Sequence, residues 1–298
     1  MTLAGAAAWG VAEVAPVDKE AVERYRRWIE TGSHGAMSYL AAHCEVRDNP
    51  ALLLEGARSM IIGAFSYAPA TPEVARIGGR SLIARYALGK DYHYVLKQRL
   101  TPLADELERL SGTPSRICVD SAPLRERYWA EKAGLGRIGR NGQLIVPGVG
   151  SLVFIAVILT GAVIPPTEPS TAVCPPGCGA CIRKCPAGAL IGNGIVEACK
   201  CLSYLTIEYK GELTPATYLK GRLCGCDACL EACPENAAAL RGELGSGVPV
   251  IDEFQPQTFI ADMTPERAAE LTTGQFKRMF GESAVMRLRV QGLRRNAL

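Results

Sequence analysis

The spacing of apolar positions divides the first part of the chain into alternating strands and helices. Trp9 to Val17 is a short apolar segment closed by Pro16 and predicts a strand. Lys19 to Glu30 follows as a helix, because Val22, Tyr25, Trp28 and Ile29 recur at helical spacing and Thr31-Gly32 ends the run. Ser59 to Tyr67 is almost uniformly apolar and bounded by Pro69 and Pro72, which predicts a buried strand. Tyr94 to Leu110 carries Val95, Leu96, Leu100, Leu103 and Leu107 on one helical face, and Ser111-Gly112-Thr113-Pro114 stops it. Arg116 to Val119 then predicts a brief strand that delivers Asp120, and a helix runs from Pro123 to about Ala133. Leu144 to Val146 and Ser151 to Leu159 complete the strands.

Beyond this the pattern changes. Pro165, Pro166 and Pro169 mark a boundary, cysteines replace the regular apolar spacing, and Gly242, Gly245 and Gly247 form an exit near Arg241. Thr264-Pro265-Glu266 opens one short helix and Ser283 to Gly292 another. The expected organisation is a core over residues 1–168, a cysteine-rich domain over 169–241 and a helical, basic segment over 242–298 packing back on the core.

Gly134-Leu135-Gly136-Arg137-Ile138-Gly139 matches the glycine fingerprint of a dinucleotide site, which needs a strand before it and a helix after it. Here a helix precedes the glycines and strands follow, so a nucleotide site is not expected. Glycine-rich backbone lying close to some other large cofactor stays open.

Composition narrows the class without changing the element pattern. The 298 residues are 48% hydrophobic and 21% charged with a net charge of +3, ordinary for a globular protein and too weak a balance to announce a nucleic-acid binder. Met1 to Trp9 does not read as a signal peptide, and Leu152 to Val163 falls short of the ~20 apolar residues of a membrane span. A cytoplasmic protein with no membrane partner is expected, because so many free thiols suit a reducing compartment. A monomer is expected because no heptad pattern appears.

The chemistry is announced by the cysteines. One run reads Cys174, Cys178, Cys181, Cys185-Pro186, and a second ends Cys226, Cys229, Cys233-Pro234. Two-cluster bacterial ferredoxins use closely spaced thiolates for one 4Fe-4S cube and lend the cysteine before proline to the other cube. The same crossing assigns Cys174, Cys178, Cys181 and Cys233 to one cluster, and Cys226, Cys229 and Cys185 to the second. Spacing leaves Cys199, Cys201 and Cys224 as candidates for the missing ligand. Paired zinc sites are the competing reading, disfavoured by the Cys-Pro in both halves. A disulfide framework is unnecessary in a chain of this length.

The residues flanking these motifs resemble a known family. Arg85-Tyr86-Ala87-Leu88-Gly89-Lys90-Asp91-Tyr92-His93, Val119-Asp120-Ser121-Ala122-Pro123, Ala130-Glu131-Lys132-Ala133-Gly134-Leu135-Gly136 and Cys201-Leu202-Ser203-Tyr204-Leu205-Thr206-Ile207-Glu208 are similar to epoxyqueuosine reductases. His34-Gly35 and Gly292-Leu293-Arg294-Arg295-Asn296 extend the likeness along the chain. The resemblance implies an α+β fold, with a nitroreductase-like corrinoid-binding core and an inserted two-cluster bacterial-ferredoxin-like domain. It also implies cobalamin and two 4Fe-4S clusters as cofactors, and reduction of epoxyqueuosine to queuosine at the wobble position of tRNA. The epoxide oxygen leaves as water, so two electrons and two protons are needed, while each cube passes one electron at a time. An electron donor is implied as a further partner. The resemblance assigns the open ligand position to Cys201.

Family correspondence makes Asp120 the acid that protonates the departing oxygen, a role suited to a carboxyl kept protonated by burial beside a large apolar macrocycle. The competing reading is that Asp120 caps the helix after Pro123. Arg47, Arg85, Tyr86, His93, Asp120, Ser121, Gly134, Gly136 and Leu144 are the expected cofactor-contacting positions. Lys277, Arg278, Arg287, Arg289, Arg294 and Arg295 crowd the end of the chain and are candidates for tRNA phosphate contact. Arg137 and Glu235 stand where many members have Trp. Two alternative functions follow from the same motifs: a corrinoid and iron-sulfur reductase of another small substrate, and an electron-transfer ferredoxin without a substrate of its own.

Overall fold

The computed structural model describes residues 1–213 and 219–298. Its centre is an antiparallel sheet in the order β1-β2-β6-β3, formed by β1 (Ala8–Glu13), β2 (Ser59–Ser66), β3 (Ser115–Cys118) and β6 (Val153–Thr160). Every residue of β2 is buried because both faces of the sheet are covered, which is why the strand reads as one apolar run. Ile61, Phe65, Phe154, Ala156 and Ile158 point to one face, where Val95, Leu96 and Leu100 of the helix Tyr92–Ser111 meet them. Met60, Ile62, Ala64, Val157 and Leu159 point to the other face, against Trp129 and Ala130 of the helix Glu126–Lys132. The period-two alternation of the strands therefore fixes which helix each face receives.

A hairpin of β4 (Arg137–Ile138) and β5 (Leu144–Ile145) follows the second of these helices. Helix before and strands after is the reverse of a dinucleotide site, as the sequence order implies. In the cysteine-rich region the short helices Ala180–Lys184 and Ala228–Glu231 pack together beside a small hairpin, Leu190–Gly192 with Ile195–Val196. A third apolar core joins all parts of the chain. Ile83, Ala87 and Leu88 pack with Leu223 and Cys224 and with Ile260, Phe276, Phe280, Val285 and Leu293. Ile83 and Cys224 form a parallel bridge, sealed by the amides of Ala84 and Leu223.

Four local features differ from the sequence reading. β1 stops at Glu13 rather than reaching Val17. Pro72, read as the end of a strand region, begins the helix Pro72–Gly79, whose Thr71 side chain accepts from the Val74 amide; proline at the first position costs a helix nothing. The helix Thr273–Phe280 is opened by a capping box of Thr272 and Gln275 that hydrophobic spacing does not display. The segment read as one helix from Ser283 is a 3-10 turn, Ala284–Leu288, followed by the helix Arg289–Asn296, with Arg289 at φ 56 between them.

Candidate active site and cluster sites

Helix capping and sheet register together build a cluster of proton-carrying groups. Asp91 caps the helix Tyr92–Ser111 by accepting from the His93 amide, so Tyr92 and His93 occupy its first turn. Tyr92 stacks on Phe154 of the sheet with centroids 4.2 Å apart and planes 9° off parallel, and His93 stacks on Tyr92. β3, paired with β6, ends one residue before Val119, and Asp120 follows at φ 54. That left-handed conformation is tolerated because both ends of Asp120 are held. The Asp120 amide donates to Glu126 Oε1 at 2.6 Å and the Tyr92 hydroxyl donates to Asp120 Oδ2 at 2.8 Å. His93 Nε2 lies 3.3 Å from the same oxygen, while its Nδ1 lies 2.7 Å from Asp91 Oδ1.

The electrostatics follow from this grip. Burial lowers the His93 pKa, but its bonds to Asp120 and Asp91 more than reverse that and push it up to about 9. Burial raises the Asp120 pKa, yet the bonds from His93 and Tyr92 overcome it and the net direction is down. Glu126 is the carboxyl that burial, helped by the Asp120 charge, pushes up to about 8. Burial favours a protonated Asp120, as the sequence reading expects, but the bonds from His93 and Tyr92 favour its charged form, while His93 and Glu126 are the groups held toward their protonated forms. The capping reading is corrected. The helix Glu126–Lys132 has Arg125 at its N-cap with no side-chain cap, and it is Glu126 that reaches back to Asp120.

Asp120 nevertheless faces open space. Its side chain is 59% exposed although Tyr92 and His93 close one side, and Ser121 beside it is exposed as well. Tyr86 meets Tyr92 edge to face at 6.4 Å and its hydroxyl is held well above the ordinary range by burial first, then by Cys224, with Asp227 and Asp120 adding to it. Tyr39 is within electrostatic reach as well, its hydroxyl raised by burial and by Glu208 and Asp120 against the opposing charges of Arg287 and Arg47. Arg287 binds Glu208 through two bonds of 3.0 and 3.2 Å. Arg47 donates one bond to the Tyr39 carbonyl at 3.2 Å and keeps a buried Nε that has no partner among the described residues. Tyr39, Tyr86, Tyr92, His93 and Arg287 are thus grouped around the exposed Asp120 side chain.

Not every expected position joins this group. Arg85 is turned away and locked, its amide 2.8 Å and its guanidinium 3.3 Å from Asp227 and 2.7 Å from Glu231. Asp227 is the residue between Cys226 and Ala228, so Arg85 ties the core to the cysteine-rich region rather than joining the group around Asp120. Gly134 and Gly136 are accounted for by the chain itself: a Cβ on them would lie 2.3 Å from the Glu168 carbonyl oxygen and 2.1 Å from that of Ile145. Leu144 is 2% exposed in the core of the sheet. Close backbone crossing and core packing are thus reasons of the fold for glycine at 134 and 136 and leucine at 144.

The thiols separate into two groups. Cys174, Cys178, Cys181 and Cys233 line a single cavity together with Arg140, Asn141 and Ile145 at the hairpin turn. Cys226, Cys229, Cys185 and Cys201 form the second group, in which burial and then Cys201 and Cys226 raise Cys229 to about 12, and Cys201 in turn feels Cys185. Cys185 also accepts from the Ala189 amide at 3.3 Å. Among the described residues no three of these side chains converge tightly enough to chelate one ion. A cube instead takes one thiolate on each iron, which suits groups spread around a space. Cys199 is exposed, near the Gly32 carbonyl, and Cys224 is fully buried in the third core beside Tyr86. Neither joins a group.

The basic residues at the end of the chain also divide. Arg295 donates to the carbonyls of Leu205, Tyr209 and Gly211, and Arg294 to that of Leu271, so both serve the fold. Arg287 is paired with Glu208, while Lys277, Arg278 and Arg289 are exposed. Sequence reasoning missed Glu126, Tyr39 and the part played by Tyr92. Tyr92 lay inside the quoted motif, but an acidic residue in a first helical turn and an exposed tyrosine carry no signal of their own.

Comparison with known proteins agrees with this architecture. A family model described as "Epoxyqueuosine reductase QueG, DUF1730" matches residues 47–121, and one described as "4Fe-4S double cluster binding domain" matches residues 174–236. The chain is 38% identical to a Gloeobacter violaceus epoxyqueuosine reductase over 97% of this chain and 89% of that protein. It is 36% identical to the Leadbetterella byssophila enzyme over 93% and 88%. Among solved structures, an epoxyqueuosine reductase crystallised with an epoxyqueuosine-modified tRNA-Tyr stem loop superposes with a TM-score of 0.84 at 28% identity, covering 99% of this chain and 76% of that one. The Streptococcus thermophilus enzyme gives 0.81 at 29% identity, covering 99% and 76%. In a Bacillus subtilis epoxyqueuosine reductase, with a TM-score of 0.83 at 28% identity, a catalytic aspartate loop is swung out of the active site.

Proposed function

The chain belongs to the epoxyqueuosine reductase family, and from that premise we propose that it reduces epoxyqueuosine in tRNA to queuosine, with the open space at Asp120 as the reaction site. The observation that carries the assignment is the Asp120–His93–Glu126 cluster. Loss of the epoxide oxygen as water consumes two electrons and two protons, and this cluster stores protons on two groups at neutral pH. Asp120 Oδ2, the acceptor shared by His93 and Tyr92, is the atom placed to relay a proton from His93 into that space. Glu126 restrains the loop through the Asp120 amide and keeps the second proton behind it.

The thiols fit two cubes: Cys174, Cys178, Cys181 and Cys233 surround one cavity, and Cys185, Cys201, Cys226 and Cys229 lie within electrostatic reach of one another. Cys174, Cys178, Cys181 and Cys233 hold one in this reading, and Cys185, Cys201, Cys226 and Cys229 the other. The Cys226 group is the nearer of the two to Asp120 in this reading, because Tyr86 meets Tyr92 edge to face and also lies against Gly225, next to Cys226. Electrons from an external donor therefore enter through the Cys174 group.

The surroundings of Asp120 also suit cobalamin: the tyrosines Tyr39, Tyr86 and Tyr92, exposed Ser121, and the unpartnered Arg47 Nε for a ring fringed with amides. When bound, cobalamin supplies a low-potential cobalt centre that transfers reducing equivalents to carbon. The protein's part is to hold that ring, exclude water beneath it and time the protons. Among the described residues no helix is long and apolar enough to cross a membrane, and work on tRNA supports a cytoplasmic setting for the reaction in this reading. The test is anaerobic turnover of epoxyqueuosine-bearing tRNA with reductant, with and without cobalamin, read by nucleoside mass spectrometry. Queuosine that appears only with cobalamin supports the proposal; no queuosine from protein carrying both cubes overturns it.

A further inference from the structure

The turn between β4 and β5 carries more buried polar groups than its own hydrogen bonds use. Asn141 is 2% exposed and lines the cavity of the Cys174 group. Its Oδ1 accepts from the Gln143 amide at 3.2 Å, which fixes the side-chain amide so that Nδ2 is the free end. That Nδ2 is buried and has no partner among the described residues. Arg137, 7% exposed, binds Glu235 through NH2 at 2.9 Å, stands beside the Cys174 sulfur, and leaves its own Nε buried without a partner. Arg140 lines the same cavity and forms no ion pair among the described residues. Orphaned donors this deeply buried cost stability unless something accepts from them. The acceptors available at a cavity ringed by thiolates are the sulfurs of the cluster.

We propose that Arg137 and Asn141 are hydrogen-bond donors to the Cys174 cluster, holding its reduction potential above that of the Cys226 cluster. Donors and positive charge at the sulfurs stabilise the more negative, reduced cube and raise its potential. The surroundings of the second group offer no such surplus of donors, its charges being balanced. Asp227 lies between two of its ligands, and Glu231 adds a second carboxylate against Arg85 and Arg222. The first electron to enter the protein accordingly rests on the Cys174 cluster, the farther of the two from Asp120, until a second follows. The inference rests on the two-cube reading above.

An EPR-monitored redox titration of the anaerobically reconstituted protein tests it, with iron content measured on the same samples. Asn141→Asp keeps the Oδ1 acceptor for Gln143 but removes the donor, and Arg137→Gln removes the guanidinium. Each is expected to shift the reduction equilibrium of the Cys174 cluster about tenfold toward the oxidised form, 59 mV for one electron, while the Cys226 cluster stays in place. Glu235→Gln removes the charge that offsets Arg137 and is expected to move the same midpoint upward, which separates electrostatics from damage to the fold. Cys201→Ser identifies the signal of the second cluster. About eight irons with an unmoved midpoint, or equal movement of both clusters, overturns the inference alone. Wild-type protein that assembles no cubes overturns the two-cube reading instead.

Discussion

Replacing Asp120 by Asn isolates the ion pair on which proton storage depends. The substitution leaves the size of the side chain unchanged and removes the charge 3.3 Å from His93 Nε2. At that distance two unit charges attract by about 5 kcal/mol at an effective dielectric constant of ~20, and by about 1.3 kcal/mol at the value of water. Asp120 is 59% exposed, so the lower figure governs. His93 is then expected to lose its proton about tenfold more easily, since ~1.4 kcal/mol is one decade. The direction in pH follows from the raised value. The attraction is complete below the ordinary histidine value of 6.5 and disappears as pH rises through about 9. In Asp120→Asn that loss moves down by about one pH unit, with Asp91 still holding the other ring nitrogen. The chain has 3 histidines, so a titration of imidazole carbon resonances is assignable with His93→Gln as the reference. A wild-type His93 that titrates near the free value, or one that does not move in Asp120→Asn, refutes the reasoning.

Three further outcomes are expected. Glu126→Gln keeps an oxygen for the Asp120 amide but holds no titratable proton, so a limb of the kcat profile near pH 8 should vanish; persistence of that limb assigns it elsewhere. Cys201→Ser should cut bound iron from about eight to about four, whereas Cys199→Ser and Cys224→Ser leave it unchanged, as checked by iron analysis of anaerobically reconstituted protein. Arg85→Gln strands Asp227, 5% exposed, and should cost about 3 kcal/mol. A thermal midpoint equal to that of the wild type, with both clusters retained, would show that the pair contributes nothing.

The sequence displayed the sheet because β2 and β6 are buried on both faces and leave no polar interruption. It displayed the helix Lys19–Glu30 to the residue, since one apolar stripe and a Thr-Gly stop define it. The Cys-Pro crossing suggested how the thiols divide, but spacing left Cys199, Cys201 and Cys224 equal; the resemblance favoured Cys201, and the exposure of Cys199 and the full burial of Cys224 are tertiary facts that spacing does not encode. The glycine run had a second purpose that the sequence did not show: a Cβ at Gly134 or Gly136 would meet the Glu168 or Ile145 carbonyl, a demand set by chain crossing in three dimensions. The proton inventory was hidden for a similar reason. Asp120 was visible, yet its ionisation is set by His93 from one helix, and Glu126 acquires its proton by burial against another. Arg137 and Glu235, noticed separately as departures from the family, are partners in space.

In the proposed reaction Asp120 passes protons to the oxygen leaving the substrate while the thiol-held clusters supply electrons. A single-turnover reaction of pre-reduced, cobalamin-loaded protein with epoxyqueuosine-bearing tRNA measures it most directly, comparing wild type with Asp120→Asn at matched iron content. Queuosine formation slowed by about two to four decades in the variant, with both cluster signals intact before mixing, is the predicted result. Equal rates in the two proteins would contradict it.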